Sequence, residues 1–248
     1  MPNGENIPDA ATGIRNDLST TPKPDSLIDH AASIKYWNSV TPDINGMLGG
    51  FPQVSNIDLR GSSAFLAKVR RLIPSLPSTG KLPLGVDCGA GIGRVTAGFL
   101  SRVCEVVDIV EPVEAFAKVV REGDLNAQGK IGDIYVTGLE KWEPSKKYDL
   151  IWNQWCLGHL TDEQLVEYLV RCRSALTETG LVVVKENITS DLEDTFDPQD
   201  SSVTRTEKSF RDIFARAGYR VVKSEEQYGF PQRLQLYPVR FFALRPAS

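Results

Sequence analysis

The chain has 248 residues, of which 41% are hydrophobic, and its formal net charge is −4. A chain of this length accommodates one α/β domain with an additional segment, and an acidic protein gains no affinity from a phosphate backbone, so nucleic acid is not an expected partner. Four cysteines without CxxC spacing and two histidines argue against a metal site and for reduced thiols in the cytoplasm or nucleus. No apolar run approaches the roughly 18 residues of a membrane span, so no membrane association is expected.

The first 75 residues divide into two parts. Residues 1–27 are rich in Pro, Gly, Asn and Ser without a periodic apolar pattern, which is typical of a disordered tail. We therefore expect a single domain over 28–248, beginning with an ordered helical cap at 28–75. Within the cap, apolar residues at helical spacing predict a helix over 55–73.

Beyond residue 80 the pattern changes to alternating strands and helices. This alternation predicts an α/β fold with a mostly parallel, seven-stranded sheet, helices on both faces, and one antiparallel edge strand from a terminal hairpin. Thr161 and Gln164 have capping-box spacing at the start of a long helix, which we expect to run to Leu176 and to be closed by Gly180. The predicted strands are 82–88, 105–110, 131–136, 148–155, 181–185, 219–224 and 239–244, and the other helices are 95–103, 113–121 and 209–217.

The most informative local motif is the sequence LGVDCGAGIGR at 84–94, in which a strand runs into a glycine-rich turn. Glycine permits positive φ angles and close approach of the backbone to a ligand. The motif is not the dinucleotide-binding GxGxxG, because Arg94 occupies the position of the last glycine. The pattern Asp-x-Gly-x-Gly-x-Gly that starts at Asp87 resembles the first motif of class I S-adenosylmethionine-dependent methyltransferases. Another nucleotide-binding fold or a purely structural turn is the alternative.

An acidic residue follows the second predicted strand. Glu111 lies at the carboxyl end of this strand, about 20 residues after the glycine turn, where a carboxylate can accept hydrogen bonds from both ribose hydroxyls of a nucleoside. The alternative is a charge that stabilises the start of the next helix. Asp108 lies within the strand, and we expect it to face a helix end or solvent.

Two polar segments follow later strands of the predicted sheet. The sequence WNQW at 152–155 and His159 come at the end of the fourth strand. Isolated tryptophans are usually core residues, but this combination at the expected ligand-binding edge indicates a site. The sequence KEN at 185–187 follows the fifth strand and precedes an acidic loop that contains Asp197 and Asp200. A run of charges is usually a solvated loop, although this one can reach the same edge.

In combination these motifs resemble one family, the protein N-terminal methyltransferases that modify the α-amino group of chains beginning Xaa-Pro-Lys or Xaa-Pro-Arg. The resemblance extends from about residue 34 to 245, over nearly the whole of the predicted domain. The segments that carry it are Tyr36-Trp37, GMLGG at 46–50, residues 87–94, Gln154-Trp155, GHLTD at 158–162, KEN at 185–187, DSSV at 200–203 and FALR at 242–245.

The resemblance implies a Rossmann-like class I methyltransferase fold that uses S-adenosylmethionine and releases S-adenosylhomocysteine. It implies that Arg94 pairs with the methionine carboxylate and that Leu139 lies near the adenine. His159 and Asp200 are implied to accept the proton of the substrate amine. The implied cofactor-binding residues are Gly89, Gly91, Arg94, Glu111, Pro112, Leu139 and Gln154. The implied substrate-binding residues are Trp37, Trp155, Asn187, Asp197, Ser202 and Tyr237.

The chemistry of methyl transfer agrees with these residues. The reaction is an in-line displacement that needs a neutral nitrogen lone pair, and an α-amino group has a pKa of about 8, so it must first lose a proton.

Two residues depart from the family pattern, namely Glu111, where Asp is frequent, and Glu140, where Gln is common. We expect basic protein N-termini as partners, and a monomer. A small-molecule amine N-methyltransferase on the same fold and a non-catalytic cofactor-binding module are the alternatives.

Overall fold

A computed structural model describes residues 22–73, 76 and 79–247. The cap contains helices α1 (His30–Ser39), α2 (Ile44–Met47) and α3 (Ser55–Leu72). The strands are β1 (Leu82–Cys88), β2 (Cys104–Val110), β3 (Ile131–Tyr135), β4 (Tyr148–Gln154), β5 (Leu176–Asn187), β6 (Thr195–Asp197), β7 (Ser202–Thr204), β8 (Tyr219–Glu226) and β9 (Val239–Pro246). A π-helical turn at Thr96–Leu100 precedes α4 (Ser101–Val103), and the remaining helices are α5 (Glu114–Glu122), α6 (Asp124–Ala127), α7 (Asp162–Ser174) and α8 (Glu207–Arg216).

Seven strands form one sheet in the order β3-β2-β1-β4-β5-β9-β8, and β6 pairs with β7 in a separate hairpin. The pairs among β1 to β5 are parallel, whereas β9 is antiparallel to both of its neighbours. The predicted mostly parallel sheet with an antiparallel strand towards its edge is therefore confirmed, with β9 inserted between β5 and β8. The strand order reverses between β1 and β4, and a crevice for ligands forms at such a point, outside the carboxyl ends of the strands.

Helices cover both faces of the sheet, and each face has its own hydrophobic cluster. On one face Tyr168 of α7 and Phe214 of α8 pack with Val184 of β5. On the other face Phe65 of α3 packs with Trp152 of β4. Because both faces are covered, the central strands are apolar runs without alternation. Among the described residues, no helix has the length and apolar character that crossing a membrane requires.

Helix α7 begins as predicted and ends earlier than predicted. Thr161 and Gln164 form the capping box. The helix stops at Ser174 and β5 starts directly after it, so the prediction that Gly180 closes the helix is wrong. Gly180 lies inside β5, where a Cβ atom would be 2.5 Å from the carbonyl oxygen of Tyr148. The glycine therefore permits the close approach of β4 and β5 at an irregularity in their register.

The described chain is already folded before residue 28. Pro24–Leu27 form a 3-10 turn, so the prediction of a disordered tail is wrong for these residues, while 1–21 lie outside the described residues. The Asp25 carboxylate accepts a hydrogen bond of 3.0 Å from the backbone N–H of Asp162, at the start of α7. A carboxylate at this position accepts from a backbone N–H that has no partner within the helix, and its negative charge interacts favourably with the helix dipole. This segment therefore fastens the cap to the domain.

We expect Asp25→Ala to lower the melting temperature by about 2–4 °C, because an acceptor lost at a helix N-terminus costs about 1 kcal/mol. Thermal unfolding followed by circular dichroism measures this change. Ser26→Ala is the matched control, since Ser26 Oγ donates to the carbonyl of Lys23 within the same turn. Equal melting temperatures of Asp25→Ala and the unsubstituted protein would contradict the role of this contact.

Candidate active site

A cavity of about 820 Å³ opens at the carboxyl ends of β1, β2 and β4 and reaches helix α1 of the cap. Its size lies within the range of roughly 300–1,000 Å³ that is usual for small-molecule sites. Glu140, one of the two departures from the family pattern, lines this cavity. All the cofactor residues implied by the resemblance line it as well, namely Gly89, Gly91, Arg94, Glu111, Pro112, Leu139 and Gln154.

The glycine turn forms one wall of this cavity. Gly89 and Gly91 have φ angles of 66° and 57°, in the left-handed region that glycine adopts without strain. A Cβ atom on Gly89 would clash with Cβ of Cys156, and one on Gly91 would lie 2.7 Å from Sδ of Met47. Glycine at these two positions therefore lets the turn pack closely against the segment after β4 and against the cap, while its backbone lines the cavity.

Glu111 joins the turn to the second strand. The residue is only 4% exposed, and its carboxylate accepts hydrogen bonds from the backbone N–H of Gly91 at 2.7 Å and of Val113 at 2.8 Å. Burial raises the pKa of Glu111 to about 7, against the opposing effect of these two hydrogen bonds. Each oxygen keeps a lone pair for a further donor. The residue thus orders the turn and the start of α5 and still offers acceptors to the cavity.

Asp108 does not face a helix end or solvent, and that prediction is wrong. The residue is fully buried. Its carboxylate accepts hydrogen bonds from Lys146 Nζ at 2.8 Å and Tyr148 Oη at 2.9 Å, and from the backbone N–H of Asp133. A carboxylate can be buried within a strand when a cation and hydrogen bonds compensate its lost hydration. Asp108 therefore ties β2 to β3 and β4, away from the ligand cavities.

Beneath the first cavity lies a buried ionic cluster that the sequence did not reveal. The carboxylate of Asp58, on α3, is fully buried and forms ion pairs with Arg94 at 2.8 Å and with Lys185. Gln154 Nε2 donates to both of its oxygens, at 2.9 and 3.0 Å. The available signal was the position of Asp58 on the same helical stripe as the buried Ser62 and the core residues that follow it.

A second cavity of about 410 Å³ adjoins the first. The two cavities share the lining residues Trp37, Met47, Trp155 and His159. A group bound in one cavity therefore meets a group bound in the other at this junction. The second cavity also contains the implied substrate-binding residues Asn187, Ser202 and Tyr237, together with the implied proton acceptor Asp200.

Asp197 is placed differently from the other implied substrate residues. It is exposed at the end of β6, where it pairs with Ser202, and its carboxylate accepts a hydrogen bond of 2.8 Å from the backbone N–H of Gln199. It does not line the second cavity. Asp200 and Asp197 both raise the pKa of Tyr36, after the larger effect of burial, so both carboxylates act on the same ring.

His159 and Asp200 line the same cavity, but only one of them presents a free acceptor. His159 Nε2 accepts a hydrogen bond of 3.1 Å from Trp37 Nε1, and Nδ1 lies 3.0 Å from Ser33 Oγ. Burial lowers the pKa of His159, against the opposing charge of Asp200, so the imidazole is neutral at neutral pH. Asp200 Oδ1 is buried and has no hydrogen-bond partner among the described residues.

Two residues beside the site have left-handed backbone conformations. The φ angles of Trp155 and Ser201 are 55° and 57°, which costs a non-glycine residue about 1–3 kcal/mol unless the surroundings enforce it. The carboxylate of Glu186, whose role the sequence analysis did not assign, accepts hydrogen bonds of 2.9 Å from the two backbone N–H groups that follow Trp155. Ser201 Oγ accepts a hydrogen bond of 2.7 Å from the backbone N–H of Asp29. Hydrogen bonds to other segments of the chain therefore stabilise both of these backbone conformations.

The chemistry that these features allow belongs to one class. A glycine turn after β1, a buried acid after β2 and an antiparallel β9 between β5 and β8 define a class I S-adenosylmethionine-dependent methyltransferase. Among the described residues, no group of three or more His, Cys, Asp or Glu side chains is arranged to hold a metal ion. A family model described as AdoMet dependent proline di-methyltransferase matches residues 25–245, and the chain belongs to this family.

Individual relatives agree with the family model. Alpha N-terminal protein methyltransferase 1 of Schizosaccharomyces pombe is 44% identical over 222 residues, which are 88% of this chain and 97% of that protein. N-terminal Xaa-Pro-Lys N-methyltransferase 1-A of Xenopus laevis is 38% identical over 230 residues, or 92% of this chain and 100% of that protein. The structure of a SAM-dependent methyltransferase from Leishmania major has a TM-score of 0.75 at 33% identity and covers 87% of this chain and 82% of that chain. The family predicted from the sequence is confirmed.

Glu111 should contribute to the pH dependence of stability. Because its folded pKa is raised to about 7, the folded state holds more protons on this group than the unfolded state between about pH 4.5 and 7, and its contribution to stability falls as the pH rises. In Glu111→Gln the free energy of unfolding is therefore expected to decline less steeply between about pH 5 and 7.

Urea unfolding at several pH values measures this slope. Glu114→Gln is the matched control, because the Glu114 side chain is 64% exposed. An unchanged slope in Glu111→Gln would show that the Glu111 carboxyl does not titrate in this range.

Proposed function

We propose that this enzyme methylates the α-amino group of proteins that begin with Xaa-Pro-Lys or Xaa-Pro-Arg. The observation that carries the proposal is the unpartnered buried Oδ1 of Asp200 in the cavity next to the cofactor cavity. A desolvated carboxylate oxygen without a donor is poised to accept a proton from an ammonium group. The names of the relatives refer to protein N-termini, which favours a peptide over a small-molecule amine.

The residues of the first cavity fit S-adenosylmethionine. Arg94 supplies guanidinium N–H groups for the methionine carboxylate, Glu111 supplies acceptors for the ribose hydroxyls, and Leu139 supplies an apolar contact for the adenine. A Cβ atom at Gly91 would crowd Sδ of Met47, at 2.7 Å. When bound, the cofactor would supply an electrophilic methyl group on a sulfonium.

The second cavity is proposed to hold the substrate terminus. Its aromatic wall at Trp37 and Trp155 suits a prolyl ring, and Asn187 offers an amide to the peptide backbone. The cationic third residue of the substrate is assigned to the side of the cavity near Tyr36, where the charges of Asp197 and Asp200 both raise the pKa of the tyrosine. Ser202 and Tyr237 complete the wall.

Proton removal is assigned first to Asp200. Nε2 of His159 already accepts the indole N–H of Trp37, so the imidazole becomes an acceptor only when Trp37 moves away. In the arrangement described, neutral His159 accepts a hydrogen bond from Trp37, and the two side chains line the junction at which the amine and the methyl group must align. Removal of the ammonium proton then leaves the nitrogen lone pair free for in-line attack.

We infer that the enzyme acts as a monomer in the cytoplasm or nucleus, with protein N-termini as its partners and neither nucleic acid nor a membrane. The acidic net charge of −4 supports a basic partner.

Peptide selectivity tests this function. With labelled S-adenosylmethionine, we expect methylation of a peptide beginning Ser-Pro-Lys and no detectable methylation of one beginning Ser-Pro-Glu, because the acidic side of the cavity repels the second peptide. Mass spectrometry places the added group on the α-nitrogen. Equal labelling of both peptides, or labelling of neither, would contradict the proposed substrate class.

Asp200→Asn separates catalysis from cofactor binding. The variant keeps the shape of the side chain but loses the proton acceptor, so kcat is expected to fall by about 100-fold or more. The affinity for S-adenosylhomocysteine, measured by calorimetry, should stay unchanged. Asp212→Asn, in an exposed ion pair with Lys208 on α8, is the matched control. Retained turnover in Asp200→Asn, or a parallel loss of cofactor affinity, would show that this division of roles is wrong.

A further inference from the structure

We propose that Lys185 is a positioning residue that keeps Arg94 available for the carboxylate of the cofactor by neutralising the competing carboxylate of Asp58. The inference rests on the cofactor placement proposed above. It concerns a residue that does not reach the cavity itself and acts through another side chain.

All donors of Lys185 are used inside the protein. Its fully buried ammonium forms an ion pair with the Asp58 carboxylate and donates to the Asp58 carbonyl at 3.0 Å and to Ser62 Oγ at 3.1 Å. The ring of Phe241, 4.5 Å from Nζ, covers another side. Lysine has three N–H donors, so none is left for a ligand.

Arg94, in contrast to Lys185, keeps donors that are not used inside the protein. Its Nη1 atom donates to Asp58 Oδ2 at 2.8 Å and to Ser55 Oγ at 3.3 Å. Nε and Nη2 have no hydrogen-bond partner among the described residues, and the side chain, 7% exposed, lines the cofactor cavity. The guanidinium is therefore anchored by one nitrogen and retains donors for a second carboxylate.

Arg94 contacts the Asp58 carboxylate through one nitrogen only. Arginine and carboxylate groups frequently form two parallel hydrogen bonds, which are stronger than one. At Asp58 this arrangement is prevented because Lys185 binds Oδ1 and Gln154 Nε2 contacts both oxygens. The two partners occupy the lone pairs that a second Arg94 nitrogen would need, and Lys185 balances the charge of Asp58.

Asp87, a second buried carboxylate near Arg94, does not hold the guanidinium. Asp87 acts on Arg94 only at longer range, because its carboxylate accepts a hydrogen bond of 2.6 Å from Thr96 Oγ1 and none from Arg94. Burial lowers the pKa of Lys185 to about 8, against the opposing charge of Asp58, so the amine is still mostly protonated at neutral pH. Without Lys185, Asp58 would be left with Arg94 as its single cation and would compete for it with the cofactor.

A pair of ligands that differ only in the carboxylate tests this inference. The probes are S-adenosylmethionine and decarboxylated S-adenosylmethionine, with affinities measured by calorimetry on the full chain without peptide. Lys185→Met is expected to weaken S-adenosylmethionine about tenfold, the effect of one lost charge-assisted contact, and to change the affinity for the decarboxylated analogue by less than about twofold. Comparing two ligands on one preparation removes the effect of partial unfolding.

Two further variants make the test specific. The double variant Asp58→Asn/Lys185→Met removes the competing carboxylate together with its cation, so discrimination between the ligands is expected to return to within about threefold of that of the unsubstituted protein. Lys68 lies on the same helix as Asp58 and forms an exposed ion pair with Glu225. Its replacement in Lys68→Met is expected to change neither affinity.

The outcomes separate the inference from the function on which it rests. Equal weakening of both ligands in Lys185→Met, or no recovery in the double variant, would mean that Lys185 only stabilises the fold and would overturn the inference. Arg94→Met tests the cofactor placement, because it must reduce the affinity for the ligand with the carboxylate selectively. If Arg94→Met does not discriminate, the placement itself fails. If Arg94→Met discriminates and Lys185→Met does not, only the role of Lys185 fails.

Discussion

A carboxylate that is wholly removed from water persists only where cations and hydrogen bonds replace its hydration. Asp58 satisfies this requirement in the middle of the molecule, with Arg94, Lys185 and Gln154 around it. These partners come from the glycine turn, from β5 and from β4, while Asp58 comes from the cap. Removing one partner of a buried ion pair costs about 3–5 kcal/mol, so the position of the cap, the turn and the two strands depends on this cluster.

The cavities above the cluster are shaped by backbone that would not hold its conformation alone. Trp155 and Ser201 both have positive φ angles; Trp155 lines both cavities, and Ser201 lies between Asp200 and Ser202, which line the second. The hydrogen bonds that stabilise these two conformations come from different parts of the chain, because Glu186 lies in β5 and Asp29 lies in the segment before α1. The aromatic ring of Trp155 and the carboxylate of Asp200 are thus positioned by separate parts of the fold, and their mutual geometry depends on the correct docking of the cap.

Features that depend on neighbours in sequence were predictable. The capping box of Thr161 and Gln164, the glycine turn and the acid at 111 lie within short segments and have recognised patterns. Asp58 was not predictable as the centre of a cluster, because its partners are 36, 96 and 127 residues away. Asp197 and Asp200 are close in sequence and share one acidic loop, yet the β6–β7 hairpin exposes the first and turns the second into a cavity. Only the path of the backbone separates the two.

The insertion of β9 has a consequence for how the protein is made. Strand β8 is synthesised before β9, but β9 is its neighbour in the sheet and separates it from β5. During translation the edge of β5 therefore stays open until β9 has left the ribosome, and exposed edges of this kind pair with other chains. Asn187, at the end of β5, pairs with Val239, the first residue of β9. The second cavity, which Asn187 and Val239 line, is thus completed late in biosynthesis, and a nascent chain that stalls within 227–238 would present an unpaired strand to chaperones.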